Sequence, residues 1–134
     1  MEHVEHIILI DDNEVTNFYN QDLLSSIDPS WKITAFNTAD QALAYFKANA
    51  NARIRALVFL DIRMPEYTGF DLLRELEDLD LVDDADLTFC MLTSSSQVRD
   101  KEELTKFPLV QRYIEKPLSV EKVQRVLEQI TLKK

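Results

Sequence analysis

The chain has 134 residues, 46% of them hydrophobic and 29% charged, and carries a formal net charge of −9. That length suits one domain able to bury a full core without staples, and the charge argues against binding a phosphate backbone, which is won with Lys and Arg. A lone cysteine, Cys90, rules out an internal disulfide, and no apolar run approaches the length of a membrane span.

The N-terminus, with Glu2 and Glu5 ahead of a short apolar run, lacks a signal-peptide layout, so a cytoplasmic location is expected. His6 to Ile10 reads as a first strand that ends at the acid pair Asp11-Asp12. Beyond Asn13, the residues Val15, Phe18, Tyr19, Leu23 and Leu24 recur at helical spacing until Asp28-Pro29 closes the helix. Trp31 to Phe36 suits a second strand. Thr38, with Gln41 three residues on, resembles a capping box, and Ala39, Leu43 and Phe46 give the next helix an inner face.

Four apolar residues from Leu57 then run straight to Asp61, and Pro65 and Gly69 interrupt the pattern before Phe70. A short apolar run bounded by turn formers reads as a buried strand, which puts Asp61 at its C-terminal end, the edge where open α/β sheets bind ligands. Taken alone, Asp61 fits a turn-capping role equally well. Phe70, Leu73 and Leu76 mark a third helix, with Thr68 and Asp71 spaced as its cap. Seven acidic residues follow between Glu75 and Asp86 with no Lys or Arg among them. They lack the central Gly and closing Glu of a calcium loop and suit a solvated loop.

Leu87 to Leu92 gives a fourth strand, holding Cys90 as a buried inert thiol and ending at Thr93-Ser94-Ser95-Ser96. From Gln97 to Phe107 only Val98, Leu104 and Phe107 are large and apolar, which predicts a weakly packed helix with room to move. The fifth strand, Gln111 to Glu115, stops at Lys116-Pro117. Ser119 is placed to cap a last helix whose stripe is Val120, Val123, Val126, Leu127 and Ile130. Five strand-helix alternations predict an α/β fold, a doubly wound parallel sheet with five helices over both faces. The expectation is a single domain over residues 1–134 with no output domain.

Parallel strands bring their C-termini to one edge, so Asp11, Asp12 and Asp61 are expected to converge there with Thr93 and Lys116 beside them. Crowded carboxylates resist ionising together unless a cation neutralises them, and hard oxygen donors favour Mg²⁺. With an ammonium and a hydroxyl added, the set suits a transferring phosphoryl group and a carboxylate nucleophile. Each residue has a plainer role when taken singly: Asp11-Asp12 as a helix cap, Thr93 in a polar turn, Lys116 on the surface and Tyr113 as strand filler. Their joint placement at successive strand ends is what favours chemistry.

This pattern resembles the response-regulator receiver domain of two-component signalling, in its stand-alone, chemotaxis-regulator-like form. The likeness runs from Ile7 to about Ile130 through Asp11-Asp12, Asp61-Ile-Arg-Met-Pro65 with Gly69, Thr93-Ser94, and Tyr113 with Lys116-Pro117. It implies a flavodoxin-like strand order 2-1-3-4-5 and a phosphorelay switch. Asp61 would accept a phosphoryl group from a sensor histidine kinase or a histidine phosphotransfer protein. Mg²⁺ would be held by Asp12, Asp61 and the carbonyl of Arg63, with Asp11 acting through a water. Lys116 would hold Asp61 and then the phosphoryl group, while Thr93 and Tyr113 would form the coupled switch. A downstream protein would dock on the fourth helix, fifth strand and fifth helix.

The same resemblance implies a signalling protein that catalyses only its own phosphorylation and dephosphorylation. Its rivals are a Mg²⁺-dependent phosphatase with an aspartyl intermediate and a metal-free binding module on the same fold. The best-known phosphatases of that kind carry a second Asp where this chain has Arg63. The spacing from Thr93 to Lys116 looks one residue longer than in chemotaxis regulators, and no Gly lies between Gln97 and Lys116. Arg63 and Ser95 are the positions that tune such sites, by flanking the path of attacking water. Arg63→Ala and Ser95→Glu are each expected to change the decay rate of the acyl phosphate, and an unaltered decay in both rejects the assignment.

Overall fold

The computed structural model describes residues 4–49, 55–64, 67–80, 87–93, 106 and 110–132. Five strands form one parallel sheet: β1 (His6–Ile10), β2 (Lys32–Phe36), β3 (Ala56–Asp61), β4 (Leu87–Thr93) and β5 (Val110–Glu115), in the order β2-β1-β3-β4-β5. The described helices are α1 (Glu14–Ile27), α2 (Ala39–Ala48), α3 (Gly69–Asp78) and α4 (Val120–Leu132). Four of the five expected helices are thus found among the described residues. The one expected between Gln97 and Phe107 lies, but for Lys106, outside them, and α4 here is the last of the expected five.

The central strands are apolar on both faces because both faces are covered. All six residues of β3 are buried. Ile8, Ile10, Val58, Leu60, Phe89 and Met91 point to a layer formed by α2 and α3, where Phe46, Leu72, Leu73 and Leu76 pack. The alternate residues Ile7, Leu9, Leu57, Phe59, Cys90 and Leu92 meet Leu24 of α1 and Val123 and Val126 of α4. Burial pushes the Cys90 thiol up to about 12, which keeps it protonated and unreactive. Among the described residues no helix is long and apolar enough to cross a membrane.

Helix starts follow the local polar residues. Thr68 and Asp71 form a complete capping box on α3. Thr38 accepts the amide of Gln41 at 3.1 Å, but the Gln41 side chain reaches the amide of Asn37, so the box at α2 is displaced by one residue. Ser119 accepts the amide of Lys122 at 3.2 Å, as its position before α4 predicts.

Two helical faces depart from the apolar spacing. In α1 the buried residues are Asn17, Asn20 and Leu24, while Val15, Phe18 and Tyr19 are 77%, 74% and 57% exposed. The reason lies at the strand ends, where backbone carbonyls need donors that apolar side chains cannot supply, and Asn17 meets that need. In α4 the first residue, Val120, stays 37% exposed, and the sealed stripe starts at Val123.

Gly69, the only glycine in the chain, opens α3 directly beneath the end of β3. Its amide donates to the carbonyl of Ile62 at 2.9 Å, and a Cβ added there would lie 2.6 Å from the carbonyl oxygen of Asp61. That contact is with backbone, so relief requires moving α3 or the end of β3. Gly69→Ala is expected to lower stability by about 1 to 3 kcal/mol, an overpacking cost, read as the midpoint shift in urea unfolding.

Candidate functional site

The ends of β1, β3 and β4 and the turn after β5 meet at one edge of the sheet. Register places Ile10 beside Leu60 and Asp61 beside Leu92, so Asp11, Asp61 and Thr93 leave neighbouring strands at nearly one level. Asp11, Asp61 and Thr93 are 1%, 2% and 2% exposed, whereas Asp12 faces solvent. One carboxylate oxygen from each of Asp11, Asp12 and Asp61 lies within 4.8 Å of the others.

Lys116 supplies the opposing charge. Its Nζ stands 3.2 Å from Asp61 Oδ1 and 3.3 Å from Asp11 Oδ2. The backbone delivers it there, because the amide of Lys116 donates to the carbonyl of Thr93 and ties the β5 turn to the end of β4. Backbone amides complete the cradle: Asn13 donates to Asp11 Oδ1 at 2.9 Å, and Arg63 donates to Asp61 Oδ1 at 3.2 Å.

Three acids against one amine leave the pocket short of positive charge. Burial, reinforced by the charge of Asp11, pushes the Asp61 carboxyl up to about 6, although Lys116 and the Arg63 amide pull the other way. Burial also disfavours the charged form of Lys116, but the carboxylates of Asp61 and Asp11 outweigh it and hold the amine above its ordinary value. The ammonium is therefore fixed and Asp61 is the group with proton affinity to spare. Among the described residues Asp11 Oδ2 has no hydrogen-bond partner despite the nearby ammonium, and neither has the hydroxyl of Thr93. A cluster of hard oxygen donors with an unsatisfied buried oxygen and excess negative charge fits a small divalent cation.

The residues expected at the strand ends are thus brought together, Asp11, Asp12, Asp61, Lys116 and Thr93, and Arg63 joins them through its amide. Tyr113 is on β5 and 48% exposed, in a groove of about 420 Å³ with Arg112, Lys122 and Arg125 rather than in the acidic pocket. Ser95 lies outside the described residues. Two contributors escaped the sequence pattern, the Asn13 amide and Asn17. The only signal for Asn17 was its spacing with Asn20 and Leu24, which makes a continuous stripe on a helix otherwise read by its apolar residues.

The strand order, the buried carboxylate at the carboxyl edge and its lysine define a flavodoxin-like α/β domain with an acidic, cation-ready pocket. A model of the response regulator receiver domain matches residues 7–128, and the chain belongs to that family. Membership puts it among the phosphorylation-based proteins of two-component signalling. Among solved structures it is similar to a two-component response regulator from Cytophaga hutchinsonii, at 22% identity over 98% of this chain and 99% of that one, with a TM-score of 0.86. The chemotaxis protein CheY4 of Vibrio cholerae is similar at 17% identity over 95% and 98% of the two chains, with a TM-score of 0.76. The receiver domain of the histidine kinase CKI1 from Arabidopsis thaliana is similar at 15% identity over 96% and 91%, with a TM-score of 0.80. At such identities these likenesses establish the fold alone. No curated protein matches by sequence.

The raised affinity of Asp61 for a proton sets a pH dependence in the metal-free protein. The folded state holds that proton more tightly than the unfolded chain does, so the stability it brings is complete below 3.8 and is lost as pH rises through about 6. Relative to Asp61→Asn, wild-type protein in chelator is expected to lose on the order of 3 kcal/mol between pH 3.5 and pH 7.5, measured by urea unfolding. Parallel pH profiles for the two proteins would contradict the assignment.

Proposed function

We propose that the chain is a response regulator that accepts a phosphoryl group on Asp61 from the phosphohistidine of a sensor kinase or a histidine phosphotransfer protein. The observation that carries this reading is the buried Asp61 carboxylate at the end of β3, 3.2 Å from the Lys116 ammonium and sharing an oxygen cluster with Asp11 and Asp12. In the transfer, an Asp61 oxygen attacks phosphorus, the P–N bond breaks, and its electron pair stays on the imidazole nitrogen. Water later attacks the acyl phosphate and releases inorganic phosphate. The protein acts on itself and turns over no separate substrate.

Lys116 keeps the Asp61 carboxylate ionised for attack and is placed to pair with the phosphoryl oxygens afterwards. Mg²⁺ would be held by Asp12, Asp61 and the carbonyl of Arg63, with Asp11 reaching it through water. The chemistry such a cation supplies when bound is neutralisation of the crowded acids and of charge on the phosphoryl group. Thr93, whose buried hydroxyl lacks a partner among the described residues, is suited to donate to a phosphoryl oxygen. Movement of Thr93 toward the phosphoryl group would vacate space for the Tyr113 ring and bias the β5 and α4 surface that a downstream protein reads. Asp12, Asn13 and the exposed Val15, Phe18 and Tyr19 lie together in sequence at the start of α1, and this apolar stripe offers the phosphodonor a surface beside the acids. The rival phosphatase reading loses support from Arg63, which occupies the place of the acid such enzymes use.

Incubation with Mg²⁺ and a small phosphodonor is expected to add one phosphoryl mass to the wild-type chain and none to Asp61→Asn or to protein in chelator. Retention of the full mass gain in Asp61→Asn would refute the reading. Sustained turnover of a phosphomonoester would favour the phosphatase.

A further inference from the structure

Asn17 stands in the first turn of α1 and is 3% exposed. The two N–H groups of its Nδ2 are shared among three acceptors, the carbonyl of Asp11 at 2.9 Å, the carbonyl of Phe36 at 3.2 Å and Oδ1 of Asn37 at 2.9 Å. One amide therefore joins the helix to the C-terminal ends of both β1 and β2. The carbonyl of Phe36 also accepts the amide of Asp11 at 3.1 Å. Among the described residues the amide of Asp11 is thereby bonded to Phe36, its carbonyl to Asn17 and Oδ1 to Asn13, while Oδ2 has the Lys116 ammonium 3.3 Å away but no hydrogen-bond partner.

Asp12 is held differently. It is exposed, and no hydrogen bond from a described residue orients its carboxylate, yet one of its oxygens joins the cluster with Asp11 and Asp61. Among the described residues, only the backbone sets its position. The planar peptide unit between the two acids contains both the carbonyl of Asp11 and the amide of Asp12. A bond that fixes the one fixes the direction in which the other leaves the strand.

The geometry points to Asn17 as a positioning residue for the cation site, orienting the Asp11-Asp12 peptide so that the Asp12 carboxylate meets its two partners. This rests on the reading of the pocket as a Mg²⁺-dependent phosphoacceptor. Asn17 touches neither cation nor phosphoryl group and acts through the backbone. The plain alternative is that its amide only satisfies buried carbonyls and supports the fold. Asn20 separates the two, since it lies on the same helix, is equally buried at 3% exposure, and makes no hydrogen bond to either strand end.

The test is a Mg²⁺ titration of the full chain, followed by the NMR shift of the Asp12 backbone amide, at a temperature well below the melting point of each protein. Asn17→Ala is expected to bind Mg²⁺ roughly tenfold more weakly than wild type, in line with the loss of a group that orients metal ligands. Asn20→Ala is expected to bind as wild type does, although both variants melt earlier. Equal affinity in Asn17→Ala and wild type overturns the proposal and leaves the functional reading standing. Absence of Mg²⁺ binding by the wild-type chain overturns both. If Asn17→Ala does not fold, the wild-type side-chain amide signals decide: those of Asn17 are expected to shift on Mg²⁺ saturation while those of Asn20 stay in place, and unmoved Asn17 signals overturn the proposal.

Discussion

The repulsion between buried carboxylates at the ends of β1 and β3 is the constraint on which the rest of the molecule depends. Asp11 and Asp61 are sealed from water on adjacent strands, and one ammonium answers them. A buried pair of like charges is costly unless something compensates it. The fold meets that cost partly with Lys116 and with the amides of Asn13 and Arg63, and leaves the remainder open. The shortfall leaves the pocket with an electrostatic preference for a cation, which a site already neutral would lack. The sheet contributes rigidity: nine buried apolar residues on β1 and β3 alternate toward two separate cores, so neither strand can turn to relieve the crowding.

The surrounding structure serves that edge in detail. Gly69 lets α3 begin within 2.6 Å, measured from a would-be Cβ, of the Asp61 carbonyl, so the helix start and the strand end share one small space. The backbone bond from Lys116 to Thr93 ties the turn after β5 to the end of β4. Asn17 does the same for the ends of β1 and β2. The pocket is therefore built from strand termini cross-linked by polar bonds, and side-chain placement follows from the backbone.

Much of this was legible in the chain itself. The apolar runs ending in Asp11, Asp61 and Thr93 marked the strands, because a strand covered on both faces must be apolar throughout and its polar successor must lie at the sheet edge. The cap residues Thr68, Asp71 and Ser119 marked helix starts for an equally local reason. The strand order came from family resemblance, since alternation of elements says nothing about which strands are neighbours. Apolar spacing misjudged α1, where Val15, Phe18 and Tyr19 fit helical periodicity yet face outward, and Asn17 and Asn20 turn inward. Periodicity registers hydrophobic preference, and at Asn17 the hydrogen-bonding demand of two strand ends outweighs it. Gln41 shows the same limit on a smaller scale: its spacing from Thr38 was right, but its side chain chose the amide one residue earlier.

The outward stripe on α1 also bears on how the molecule behaves in a crowd. Three large apolar side chains on one helix face would ordinarily invite self-association, yet the chain carries a charge of −9, and Asp12, Glu14 and Asp22 flank the stripe. Long-range repulsion between like-charged copies keeps such stripes apart at low ionic strength, and salt shortens its reach to about 10 Å at 0.1 M. Colloidal stability and adhesiveness are thus separated by range: copies repel at a distance, while a partner with the opposite charge around an apolar centre meets attraction at every step of its approach.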